Sequence, residues 1–181
     1  MDLRPPAGAP PLVVTATLDG RSQSLFNELR EAYFPKERNV LAAHLTLFHA
    51  LPGEFEGAVG RALAEAAAAM GPLRFAAPMP YGLGRGVAIA IDCAPLLGLQ
   101  VRLREAMQAW PGCQLTAQDR AKRKLHVTVQ NKVSPQDARR TLQGIAMAWN
   151  PSLAGDVTGL ALWRYQGGPW QQRKTFAFAG G

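Results

Sequence analysis

His44-Leu45-Thr46-Leu47 and His126-Val127-Thr128-Val129 are one tetrapeptide pattern written twice, 82 positions apart. Each reads His-Φ-Thr-Φ, with Φ apolar, and together they use two of the three histidines in the chain. Side chains alternate along a β-strand, so His44 and Thr46 share one face while Leu45 and Leu47 point into whatever packs behind. His126 and Thr128 repeat the arrangement, with Val127 and Val129 facing back. If the two halves of the chain pack face to face, four polar groups converge on one cleft floored by sheet.

Outward from the two tetrapeptides, the surrounding sequence repeats as well. Leu12–Leu18, His44–Phe48, Val87–Ile91, His126–Gln130, Thr158–Tyr165 and Thr175–Phe178 carry the apolar or alternating runs of strands. Four amphipathic stretches lie between them. Their three-and-four spacing predicts buried helical faces at Leu25, Leu29 and Ala32, then at Val59, Leu63, Ala66 and Met70. The third face is Leu96, Leu99, Leu103, Ala106 and Trp110, and the fourth is Ala138, Leu142, Ile145 and Trp149. Ser134, Pro135 and Asp137 form a helix start before the fourth. Each half then reads strand, helix, histidine strand, proline turn, helix, hairpin. The hairpins turn around Tyr81–Gly86 and Gln166–Pro169. The expected organisation is a tail at 1–11 and a single bilobal α+β domain at 12–181, with pseudo-repeats at about 12–91 and 87–181.

The chemistry of the repeated pattern is specific. Two imidazoles with ordinary pKa values near 6.5 can take and give a proton at neutral pH. Two threonine hydroxyls can hold non-bridging phosphate oxygens without adding charge. That is what in-line displacement at a phosphodiester requires: one His activates the attacking oxygen and the other protonates the departing one, with no metal. His44 is first assigned as the acid and His126 as the base, an order that the near symmetry of the motifs allows to be exchanged.

The twin motifs resemble the HxTx pair of the 2H phosphoesterase superfamily and, within it, the bacterial 2′-5′ RNA ligase-like (LigT-like) proteins. The resemblance extends over nearly the whole chain after the tail. It implies two α+β lobes of antiparallel sheet around a central cleft, with helices outside. It further implies catalytic roles for His44, Thr46, His126 and Thr128, and opening of 2′,3′-cyclic phosphates on RNA ends or nucleotides, with 2′-5′ ligation as a related activity. The product leans towards the 2′-phosphate. Two other readings stay open: an RNA-binding module with incidental catalysis, and a phosphodiesterase for a small cyclic-phosphate metabolite.

Continued alternation puts Phe48 and Gln130 on the catalytic face, as a base-stacking ring and a hydrogen-bonding amide. His49 falls on the opposite parity and reads as structural. Arg123 and Lys124, in the basic run Arg120–Lys124 just before the second motif, are candidate phosphate contacts, as is Lys132. Of Arg164 and Tyr165 only one can face the cleft, and Tyr165 is taken as the candidate. Gly82, Gly84 and Gly86 make a hairpin turn rather than a phosphate loop, because a strand follows where a helix would have to begin.

Composition fits a polyanionic partner. Twenty Lys and Arg against 13 Asp and Glu give a net charge of +7, and each phosphate neutralised releases condensed counterions. The hydrophobic fraction of 48% and a mean hydropathy near zero support a real core. No run approaches the roughly 18 apolar residues of a membrane span. Cys93 and Cys113 lack metal or redox spacing, so buried free thiols, a reducing cytoplasm, no cofactor, no metal and a monomer are the expectations.

Overall fold

Asp19 sits where the first strand becomes the first helix, and its carboxylate fastens both to a strand far away in sequence. In the computed structural model, which describes residues 8–122 and 124–179, the chain runs β1 (Leu12–Leu18) into α1 (Gly20–Tyr33). The Asp19 side chain accepts from the Ser22 amide at 2.9 Å and the Ser22 hydroxyl at 2.7 Å, capping the helix. It also accepts from the Asp156 amide at 2.7 Å, which ties the cap to the sheet. β2 (Leu45–Leu51) carries the first motif, and α2 (Glu56–Ala68) follows the proline turn. Then come β3 (Leu73–Ala76), β4 (Pro80–Gly82), β5 (Gly86–Ala90), α3 (Ala94–Gln108) and the short α4 (Ala117–Arg120). β6 (His126–Asn131) carries the second motif, followed by α5 (Pro135–Ala148), β7 (Ala154–Tyr165) and β8 (Trp170–Ala177). The fold is α+β, as expected, with the added strands β3 and β4 too short to carry a periodic signal.

All eight strands form one antiparallel sheet in the order β3-β7-β1-β2-β6-β5-β4, with β8 also paired to β7. β3 and β8 lie end to end along the same side of β7, opposite Ala154–Val157 and Gly159–Tyr165. The β2–β6 junction is the weak point of the sheet: a single pair, Leu45 with Val127, joins the two motif strands. On one side of this seam stand β2, β1, β7 and β8, and on the other β6, β5 and β4. The closing hairpin of each sequence repeat therefore joins the half-sheet that holds the histidine strand of the other repeat, β5 pairing with β6 directly and β7 reaching β2 through β1. The spatial lobes are exchanged products of the two halves, not the contiguous segments 12–91 and 87–181.

The helices cover the apolar faces. α1 packs on β6 and β7, α2 on β7 and β8, α4 on β2, and α5 on β4 and β5. On α1 the buried residues are Ser22, Phe26 and Arg30, not the Leu25–Leu29–Ala32 stripe that periodicity predicts. Phe26 is the largest apolar side chain on the helix and takes the core, which turns Ala32 out to solvent. On α3, Met107 is buried in place of Ala106. Both cysteines are buried free thiols. Pro11, placed by sequence at the end of the tail, is tied to the sheet: its carbonyl accepts from the Tyr165 amide at 2.9 Å. Gly53 is a glycine because a Cβ there would come within 2.2 Å of the Pro10 carbonyl.

Candidate active site

His44 and His126 stand at the heads of the two strands that meet at the seam. With Leu45 opposite Val127, antiparallel alternation sets His44 beside Thr128 and Thr46 beside His126. All four lie on the face away from Leu45 and Val127, both fully buried, and all four are half-buried themselves. The two histidines are then diagonal neighbours, with about 7–8 Å between their backbones, which leaves room for a phosphoryl group between the rings.

Each ring is oriented by the same device. His44 Nδ1 lies 2.8 Å from the Ala42 carbonyl, and His126 Nδ1 lies 3.0 Å from the Lys124 carbonyl, two residues upstream in both cases. A carbonyl oxygen can only accept, so Nδ1 carries the proton and Nε2 is the basic nitrogen of the neutral ring. Each ring also meets an aromatic side chain beside a hairpin turn. Trp170 of the β7–β8 hairpin is 4.9 Å from His44, centre to centre, and Tyr81 of the β4–β5 hairpin meets His126 edge-on at 6.2 Å. Burial holds the His44 pKa down to about 4. The positive charge of Arg30 and the neighbouring His49 and His126 act in the same direction, against the Ala42 hydrogen bond. His44 is therefore neutral at pH 7.

Two hollows open beside His44 and share Trp170 and Leu41 as a wall. One, of about 220 Å³, is lined by Thr15, Gln23, Trp163, Trp170 and Gln172 among others, with no Asp, Glu, Lys or Arg among the described residues. Trp163 and Trp170 lie 6.1 Å apart, and the Trp163 ring nitrogen donates to Thr15 Oγ1 at 2.9 Å. The other, of about 350 Å³, is lined by Arg30, Arg38, Thr128, Asn131 and Lys132.

Lys132 thus reaches the cleft, from a left-handed backbone with φ 60 held by the Asn131 side chain, which accepts the Lys132 amide at 2.8 Å. Lys124 is exposed and contributes its carbonyl to His126, while Arg123 lies outside the described residues. Tyr165 is half-buried opposite Trp170 at the end of β7 and lines neither hollow. Arg164 points to the other face, where it and Arg173 bind Glu56.

Phe48 and Gln130 depart from expectation together. Phe48 is fully buried in the core. Gln130 is 5% exposed and donates to Thr141 of α5 at 2.9 Å. The cause is the same in both strands. The register steps from Thr15–Thr46 to Val14–Phe48, and from Ala88–Thr128 to Val87–Gln130, so Leu47 and Val129 are extra residues. Each bulge restarts the alternation on the wrong foot, and the fifth residue of each motif strand turns from the cleft to the core. His49 then meets Asp119, whose buried carboxylate accepts the His49 and Ala50 amides at 2.8 and 2.9 Å. The His49 ring itself lies with Nδ1 3.6 Å from Asp119 Oδ1.

Arg30, Arg38, Trp163, Trp170 and Tyr81 are the cleft residues that sequence reading missed. Reading the α1 face from Phe26 would have put Arg30, four residues on, at the same buried face. Among the described residues no cluster of three or more His, Cys, Asp or Glu could hold a metal ion, and no helix is long and apolar enough to cross a membrane.

A seam-centred pair of histidines, each followed two residues on by threonine, in an exchanged two-lobe sheet, defines the two-histidine phosphoesterases. A family model of the 2′-5′ RNA ligase superfamily matches residues 18–169, and the chain belongs to that superfamily. Its fold is shared by a phosphoesterase crystal structure at 18% identity, covering 94% of this chain and 99% of that one with a TM-score of 0.62. TT0787 of Thermus thermophilus matches at 16% identity, over 93% and 97% of the two chains, TM-score 0.65. E. coli LigT complexed with 3′-AMP matches at 17% identity, over 94% and 99%, TM-score 0.58. Comparison with curated protein sequences finds no significant match.

Proposed function

We propose that this protein hydrolyses 2′,3′-cyclic phosphates on RNA ends or nucleotides, by paired histidine acid–base catalysis without a metal. The observation that carries the reading is the identical tethering of His44 and His126 through Nδ1, with a threonine beside each on the same cleft face. His44 enters the cycle neutral, so it is the proton acceptor here, and His126 the donor, the reverse of the first assignment. Nε2 of His44 takes a proton from water as the water oxygen attacks phosphorus. The P–O3′ bond breaks in line, and His126 gives its proton to the departing 3′ oxygen, leaving a 2′-phosphate. Thr46 and Thr128 hold the non-bridging oxygens. With a ribose 5′-hydroxyl attacking phosphorus in place of water, the same displacement of the 3′ oxygen would form a 2′-5′ linkage.

Nucleotides suit the walls of the cleft. Trp170 and Trp163 offer a stacking surface beside His44, and the hydrogen-bonding side chains around them suit a base edge. A relative of the same fold, E. coli LigT, has been crystallised with 3′-AMP and with ATP. The test is hydrolysis of 2′,3′-cyclic nucleoside monophosphates and cyclic-phosphate-ended oligoribonucleotides in EDTA. Wild type is expected to turn over, and His44→Ala and His126→Ala to lose at least about a hundredfold. RNA binding without turnover would replace this reading with a binding module, and neither binding nor turnover would point to a small cyclic-phosphate metabolite.

A further inference from the structure

We propose that the 350 Å³ hollow beside His44 and Thr128 is a subsite for a second, non-reacting phosphate, so that preferred substrates carry a phosphate one ribose away from the one that is opened. This rests on the reading of the cleft as a cyclic phosphodiesterase site. Arg30, Arg38 and Lys132 line the hollow with Asn131 and Thr128, and no Asp or Glu among the described residues does. Such a lining selects a compact anion. It touches His44 and Thr128 but neither Thr46 nor His126. Its centre is therefore off to one side of the two imidazoles, where an adjoining phosphate belongs and the reacting one does not.

Arg30 is the built part of the subsite. It is 4% exposed, and its fork is fixed on three sides. Nη1 donates to the Thr128 carbonyl at 2.8 Å, Nε donates to Asn39 at 3.1 Å, and the guanidinium lies 4.1 Å over the Phe34 ring. Nη2 has no hydrogen-bond partner among the described residues. A guanidinium already held in place gives up little freedom when an oxygen reaches its last amino group. Arg38 and Lys132 are exposed and complete the charge from the rim. Glu31 opens into the neighbouring hollow on the far side of Arg30, outside this lining.

Binding of adenosine 2′,5′-bisphosphate and adenosine 2′-monophosphate, measured by calorimetry on the full chain, tests the subsite without turnover. The bisphosphate is expected to bind at least tenfold more tightly. Arg38→Ala with Lys132→Asn should bring that ratio close to one, and asparagine suits the left-handed backbone at 132. Arg102→Ala with Arg139→Ala removes the same charge from exposed positions on α3 and α5 and should leave the ratio unchanged. A wild-type ratio near one, a ratio that survives the rim substitutions, an equal loss in the control, or no binding of either nucleotide would each overturn the proposal. A bisphosphate preference in a protein that opens no cyclic phosphate would instead keep the subsite and remove the proposed reaction.

Discussion

Between pH 6.5 and pH 4 the unfolded chain protonates His44 and the native chain does not, since its folded pKa lies near 4. The unfolded state then binds more protons, so stability rises with pH through this window and falls as pH drops through it. The contribution of this one ring is about 2–3 kcal/mol after allowance for its partial exposure. Urea unfolding of wild type and His44→Gln at pH 7 and pH 4 should show the variant losing less stability on acidification, by that amount. In catalysis the same displacement puts the acidic limb of kcat/KM near pH 4 rather than 6.5. His49→Gln should move that limb upward, because His49 is among the positive neighbours that depress His44. At this scale the proposed catalytic residues were plain in the sequence: a His-Φ-Thr-Φ repeat needs only alternation to declare its face. Arg30 was not, because a cation on an otherwise apolar helical face reads as solvent-exposed until its acceptors are known, and these lie 9 and 98 residues away at Asn39 and Thr128.

Element by element, the strands behave as alternation predicts up to the residue after each threonine, and fail there. A bulge leaves no mark in a run such as Leu47-Phe48, since both residues go to the core side in succession and an apolar run reads the same with or without it. At Gln130 a polar side chain hides it, because its buried amide donates to Thr141 of α5 rather than into the cleft. The trace of each bulge is in the partner strand, where Val14 meets Phe48 and Val87 meets Gln130. The consequence is measurable. Phe48→Ala should cost about 3–5 kcal/mol in stability as a core cavity, with the KM of the folded fraction unchanged. A ring that stacked on substrate would give the opposite pattern, a raised KM and little loss of stability. The hairpins were legible from their glycine-rich turns. Their aromatic neighbours Tyr81 and Trp170 were not, because which histidine a hairpin reaches depends on strand order.

Across the whole molecule, two half-sheets meet through one ladder pair, and the residues on either side of that pair, His44, Thr46, His126 and Thr128, are the proposed catalytic ones. So thin a seam needs support from elsewhere, and Arg30 supplies it by reaching from α1 to the Thr128 carbonyl of β6. Arg30→Met should cost about 1.5–3 kcal/mol and speed amide hydrogen exchange in β6 more than in β7. Exchange rates that rise evenly across the sheet would deny the seam a mechanical identity of its own. The duplicated layout could be read from element order, but not the crossing of the hairpins, since a repeat written in sequence does not say with which copy its last strands will pair.

That crossing has a consequence during synthesis. β1 emerges among the first strands, yet its second neighbour, β7, ends at Tyr165. At 5–20 residues per second, the ribosome takes roughly 7–30 seconds to travel from one to the other. Throughout that interval β1 is an open edge with unpaired amides, and the hollow beside His44 has no Trp163 or Trp170 wall. The nascent chain thus carries its first histidine long before it carries a complete cleft, and the segment most in need of a chaperone is an early strand waiting for a late one.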